Sequence, residues 1–134
     1  MKALVADDDL TSRTVLREIL SRYGEVQTCE DGDEAVRAYR TAREQGHSYD
    51  LICMDVFMPK MGGIEALTLI RRDEEQHAGP QPRDTKVIIT TASDDNDTIS
   101  QAFLGLCDAY VIKPVDAQEL IDLVHCLFAI ESPA

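Results

Sequence analysis

The chain predicts an α/β fold: a doubly wound parallel sheet with helices on both faces. Three observations carry it. Short apolar runs of strand length alternate with stretches whose apolar residues recur every three or four positions, as in successive βαβ units. At 134 residues the chain is long enough for one domain with a sizeable core and no covalent staples. Acids, a hydroxyl and a lysine lie just after the apolar runs, at the carboxyl ends of strands, where open α/β sheets bind their ligands.

Each element follows from local pattern. Residues 3–6 are a short apolar run, the signature of a buried strand. Val15, Leu16, Ile19, Leu20 and Tyr23 share one face of a helix over 10–23. A weaker strand over 25–29 follows Tyr23-Gly24. Asp31-Gly32-Asp33 makes a turn and cap for a helix over 33–45, carried by Ala35, Val36 and Tyr39. Residues 51–54 read as a strand buried on both faces, and Ile64, Leu67, Leu69 and Ile70 build a helix over 63–75. The stretch over 76–84 is polar with two prolines and is expected to be a mobile loop. A strand follows over 87–91. Ile99, Ala102, Phe103 and Leu106 then suit one face of a helix over 95–106, whose acidic start favours an N-terminus. The last strand is 109–112. The last helix is 117–129, on Leu120, Ile121, Val124, Leu127 and Phe128. One domain is expected over 1–130, with 131–134 a flexible tail.

Charge narrows the function. Net charge is −12, with 25 acids against 13 bases, which disfavours nucleic acid and anionic membrane surfaces as direct partners. No apolar run approaches the ~20 residues of a membrane-spanning helix. The N-terminus lacks the features of a signal peptide, so the expected compartment is the cytoplasm. Cys29, Cys53, Cys107 and Cys126 show no close pairing, and three of them fall in apolar segments, so buried free thiols are expected. His47, His77 and His125 lie away from the acids and read as surface or packing residues.

The strand ends carry the chemistry. Asp7, Asp8 and Asp9 follow the first strand, Asp55 the third, Thr91-Ala92 the fourth and Lys113-Pro114 the fifth. Converging carboxylates repel one another and need a cation. Hard oxygen ligands partly open to water suit Mg²⁺, which keeps waters and accepts phosphate oxygens. No thiolate or imidazole is at hand for zinc. A cation, the Lys113 ammonium and the Thr91 hydroxyl are what a phosphoryl group requires, and a carboxylate such as Asp55 can be the nucleophile that receives it. Asp9 reads as a helix cap.

Over about residues 2–130 the chain resembles the response-regulator receiver domains of two-component signalling. The resemblance rests on Asp7-Asp8, Asp55, Met58-Pro59, Gly63, Thr91-Ala92, Tyr110 and Lys113-Pro114, in order and each at its strand end. It implies a flavodoxin-like five-stranded sheet, order 2-1-3-4-5, with five helices. It also implies that Asp55 accepts a phosphoryl group from a histidine kinase or histidine phosphotransfer protein. Asp8, Asp55 and the Phe57 backbone carbonyl would bind Mg²⁺, or Mn²⁺ in its place, with Asp7 acting through water. Lys113 would pair with the acyl phosphate, and Thr91 and Tyr110 would act as the switch. Where many members have Asp or Asn, Gly62 precedes Gly63; Leu106 stands where many have glycine; Phe57 and Ser93 occupy positions that tune dephosphorylation.

The function so implied is a phosphorylation-driven signalling switch, not an enzyme beyond self-catalysed phosphotransfer and dephosphorylation. The surface of the fourth helix, fifth strand and fifth helix is expected to meet a downstream protein or a second copy. As no output domain follows in the sequence, the chain is read as a stand-alone receiver or one excised from a larger regulator. Three competing readings find less support. A flavodoxin-like flavin carrier needs a hydroxyl- and glycine-rich phosphate loop after the first strand, where Asp7, Asp8 and Asp9 would repel the phosphate. A receiver fold that binds partners without phosphorylation conflicts with the intact set Asp8, Asp55, Thr91 and Lys113. An aspartyl-phosphate phosphatase wants a second acid two residues after its nucleophile, where Phe57 stands.

Overall fold

The computed structural model describes residues 1–78, 85–92 and 106–129. Five strands, β1 (Lys2–Ala6), β2 (Glu25–Cys29), β3 (Leu51–Asp55), β4 (Lys86–Thr91) and β5 (Ala109–Ile112), form one parallel sheet in the order β2-β1-β3-β4-β5. Among the described residues there are four helices: α1 (Leu10–Leu20), α2 (Gly32–Glu44), α3 (Gly63–Ala78) and α4 (Ala117–Phe128). The helix predicted over 95–106 (save Leu106), residues 79–84 of the predicted loop and the tail over 131–134 lie outside the described residues.

Strand alternation sorts the core into two layers. On one face Leu4, Ala6, Ile52, Met54, Val87 and Ile89 pack against Ala35, Val36 and Tyr39 of α2 and Ala66, Leu67 and Ile70 of α3. On the other, Ala3, Val5, Leu51, Cys53, Ile88 and Val111 meet Leu16, Ile19 and Leu20 of α1 and Leu120 and Val124 of α4. All five residues of central β3 are buried. Removing its larger side chains from water contributes about 2 kcal/mol apiece. β2 is exposed at three of its five positions, because an edge strand buries little.

Three aspartates cap helices. Asp9 accepts from Ser12 N at 3.1 Å, Asp31 from Glu34 N at 2.8 Å and Asp116 from Glu119 N at 3.1 Å. The caps place the helix starts more sharply than the apolar spacing does: α2 begins at Gly32, one residue earlier than read. α1 ends at Leu20, and Tyr23 turns to His125 of α4, its hydroxyl 2.9 Å from Nε2.

Two expectations need correcting. Gln76, His77 and Ala78 extend α3 rather than open a loop. Glu74 explains part of this, since it is buried and tied to Arg71, itself buried, at 2.6 Å. The Arg71 guanidinium also donates to the carbonyls of Thr85 and Leu106, both at 2.8 Å, and to Asp108 at 3.0 Å, joining α3 to the entrances of β4 and β5. Secondly, not every thiol is buried. All four cysteines are thiols in no disulfide, but Cys107 is only half-buried and Cys126 is exposed on α4. Burial pushes the Cys29 and Cys53 thiols up to about 12, leaving them inert.

Candidate functional site

At the carboxyl edge of the sheet, β1 ends in the acids. Asp7 is fully buried: its backbone N–H donates to Cys29 O at 3.1 Å, and its Oδ1 accepts from Asp9 N at 2.9 Å. Arg13, on the first turn of α1, donates to the Asp7 carbonyl at 2.8 Å and pairs with Glu30 at 3.3 Å. Sequence reasoning missed Arg13, because one more arginine on a helix carries no signal before its partner is known. Asp8 is exposed, and β3 delivers Asp55 buried beside it. Carboxylate oxygens of Asp7, Asp8 and Asp55 lie within 4.8 Å of one another.

Lys113 closes the cluster from the end of β5, with its backbone N–H donating to Thr91 O at 2.7 Å. Its Nζ lies 3.2 Å from Asp55 Oδ2 and 2.8 Å from Asp7 Oδ2, an oxygen that is buried without any hydrogen bond, so that second contact is one of charge. The Lys113-Pro114 peptide is cis. Burial pushes the Asp55 carboxyl up, helped by the Asp7 charge and opposed by Lys113 and the Phe57 backbone N–H. Burial pulls Lys113 down, but the two carboxylates outweigh it and hold the ammonium charged.

The loop after β3 is closed on itself. Gly63 N donates to Val56 O at 2.8 Å and Met61 N to Pro59 O at 2.7 Å. The loop is also docked on the start of α2: Gly32 N donates to Met61 O at 2.9 Å, and Lys60, at φ 65°, sits 3.8 Å from Asp31. A Cβ at Gly63 would lie 2.1 Å from the Asp55 carbonyl, so only glycine lets the chain pass this close.

Thus the structure brings together Asp7, Asp8, Asp55 and Lys113, with Thr91 buried at the end of β4. Phe57 sits in the loop with its side chain 66% exposed. Tyr110 stands apart, 45% exposed on β5 beside exposed Ile112. Ser93 is outside the described residues. The donor set fits a hard divalent cation, because three carboxylates converge, one is open to water, and a buried oxygen lacks a hydrogen bond.

A doubly wound sheet with acids and a lysine at its carboxyl edge defines the class, and comparison with known proteins gives the family. The family model described as the response regulator receiver domain matches residues 3–125. The chain is 32% identical over 130 residues to the chemotaxis protein CheY of Pseudomonas aeruginosa, covering 96% of each. It is 32% identical over 135 residues to a probable histidine kinase 2 of Oryza sativa, where 93% of this chain spans 12% of the kinase. Among solved structures, the receiver domain of the histidine kinase CKI1 from Arabidopsis thaliana, complexed with Mg²⁺ and BeF₃⁻, superposes with a TM-score of 0.79 at 28% identity, over 96% of this chain and 89% of that one. The chain belongs to the response regulator receiver domain family of two-component signalling. Among the described residues, no helix is long and apolar enough to cross a membrane.

Proposed function

We propose that the chain is a phosphorylation switch in which Asp55 accepts a phosphoryl group from a histidine kinase or histidine phosphotransfer protein. An Asp55 oxygen attacks phosphorus, the phosphorus–nitrogen bond to the donor imidazole breaks, and the imidazole nitrogen keeps the electron pair. The observation that carries this reading is the shared ammonium of Lys113 between Asp55 and Asp7, at 3.2 and 2.8 Å. It keeps Asp55 oriented at rest and stands ready for the extra charge of phosphoryl oxygens. Asp7, Asp8, Asp55 and the Phe57 carbonyl would hold Mg²⁺, which supplies the charge neutralisation that lets an anionic carboxylate meet an anionic donor.

The output reading follows from β5. Thr91 and Tyr110 act as the switch pair, and the exposed Tyr110 side chain has room to change position. The surface of β5, α4 and the segment before β5 meets a downstream protein or a second copy. The cytoplasm is the compartment this reading assigns. Incubation with Mg²⁺ and a small acyl phosphate, read by intact mass, tests it. Wild type gains one phosphoryl group, while Asp55→Ala and chelated samples gain none. A folded, Mg²⁺-binding wild type that neither gains mass nor binds BeF₃⁻ is instead a phosphorylation-independent binding module.

A further inference from the structure

Thr90 is wholly buried, and its Oγ1 has no hydrogen-bond partner. Buried hydroxyls are rarely left so, and a valine of the same shape would avoid the cost. Its position explains why a hydroxyl is there. Thr90 is the register partner of Asp55, and Val56 N donates to Thr90 O at 3.0 Å, so the two backbones are pinned side by side. Alternation puts Thr90 on the sheet face of Ile88, and Asp55 on that of Leu51 and Cys53, which is the same face. Thr91 falls on the other. Across β5 the partner of Thr90 is Val111, which offers no polar atom, and below it on β4 is Ile88. Neighbouring strands are about 4.8 Å apart, so the polar neighbour one strand over is Asp55.

We propose that Thr90 is a positioning residue for Asp55, its hydroxyl donating to the Asp55 oxygen that does not carry the phosphoryl group. The inference rests on Asp55 being the phosphoacceptor. At rest, Lys113 and the Phe57 N–H serve the carboxylate and the hydroxyl is spare. When one oxygen is bonded to phosphorus and Lys113 turns to the phosphoryl group, the other oxygen would hold the cation on one lone pair and keep a second open to a donor, and Thr90 supplies that donor without rearrangement of the sheet.

The test compares wild type, Thr90→Val and Thr90→Ser by calorimetric titration with BeF₃⁻ at saturating Mg²⁺, and with Mg²⁺ alone. Thr90→Val is expected to bind BeF₃⁻ about tenfold more weakly, the effect of one hydrogen bond in a charged site, with Mg²⁺ affinity unchanged and a thermal midpoint no lower than wild type. Thr90→Ser, which keeps the hydroxyl, binds as wild type does. Equal BeF₃⁻ affinity in Thr90→Val, an equal loss in both variants, or a lowered midpoint in Thr90→Val would each overturn the role. The phosphoacceptor reading is judged separately on wild type, by its mass gain with acyl phosphate. A wild type that gains mass while Thr90→Val matches it in affinity refutes the Thr90 role alone.

Discussion

Lys113 Nζ lies 3.2 Å from Asp55 Oδ2 while also pairing with Asp7, so a single ammonium from the end of edge strand β5 serves two buried carboxylates, one on central β3 and one just after neighbouring β1. Removing it leaves both acids uncompensated. Lys113→Ala is expected to lower stability by about 2 kcal/mol, less than a fully enclosed pair loses because this site opens to water. Mg²⁺ takes over the missing charge, so it should raise the thermal midpoint more in Lys113→Ala than in wild type. An equal rise in both proteins would contradict the shared-counterion account.

Asp55 responds to pH in the opposite sense to a salt-bridged surface acid. Burial raises its carboxyl above the unfolded value, so the folded chain holds that proton more tightly than the unfolded chain does. Ionised Asp55 therefore costs stability, fully above the folded pKa and not at all below the unfolded one. In chelator at neutral pH, Asp55→Asn should melt higher than wild type, and the difference should shrink as pH falls into the carboxylate range. Melting curves across that range check both the sign and the trend.

Gly63 is held against the Asp55 carbonyl, where a methyl group would sit at 2.1 Å. Gly63→Ala must displace the backbone of the loop or of β3, and overpacking of this kind costs about 2 kcal/mol. Denaturant titration should show that loss. The same variant should bind Mg²⁺ more weakly, since the loop that carries Phe57 closes through Gly63 N to Val56 O.

Arg71 is buried with Glu74 and reaches Asp108 and two carbonyls, so Arg71→Met strands an acid in the interior. A loss of about 3 kcal/mol is expected. Adding Glu74→Leu should recover part of it, because the second substitution removes the stranded charge. A double variant no more stable than Arg71→Met would place the cost in the lost carbonyl contacts instead.

The sheet was legible in the sequence wherever a strand is buried on both faces: the runs at Leu4, Ile52 and Ile88 have no reading but core. The acids and Lys113 were legible because they stand at strand ends. Arg71, Glu74 and Asp108 were not, since a charge on a helical pattern or in a turn before a strand looks solvated until the fold supplies its partner. Thr90 was passed over for a related reason. Its place beside Asp55 depends on the register of β3 against β4, which nothing in either strand alone determines. Tyr110 was placed on its strand, but its outward exposure could not be read from four alternating letters.

The parallel order of the sheet has a kinetic consequence. Asp55 and Lys113 are 58 residues apart in the chain, and Asp7 joins them only when β1 has paired with β3. Asp7 and Asp8 are neighbours in sequence, but the third carboxylate and the buried surroundings come only with β3, so a cation finds its full ligand set only after distant strands have met. Mg²⁺ should therefore leave the refolding rate nearly untouched and act by slowing unfolding, and chevron plots with and without it should differ in the unfolding limb alone.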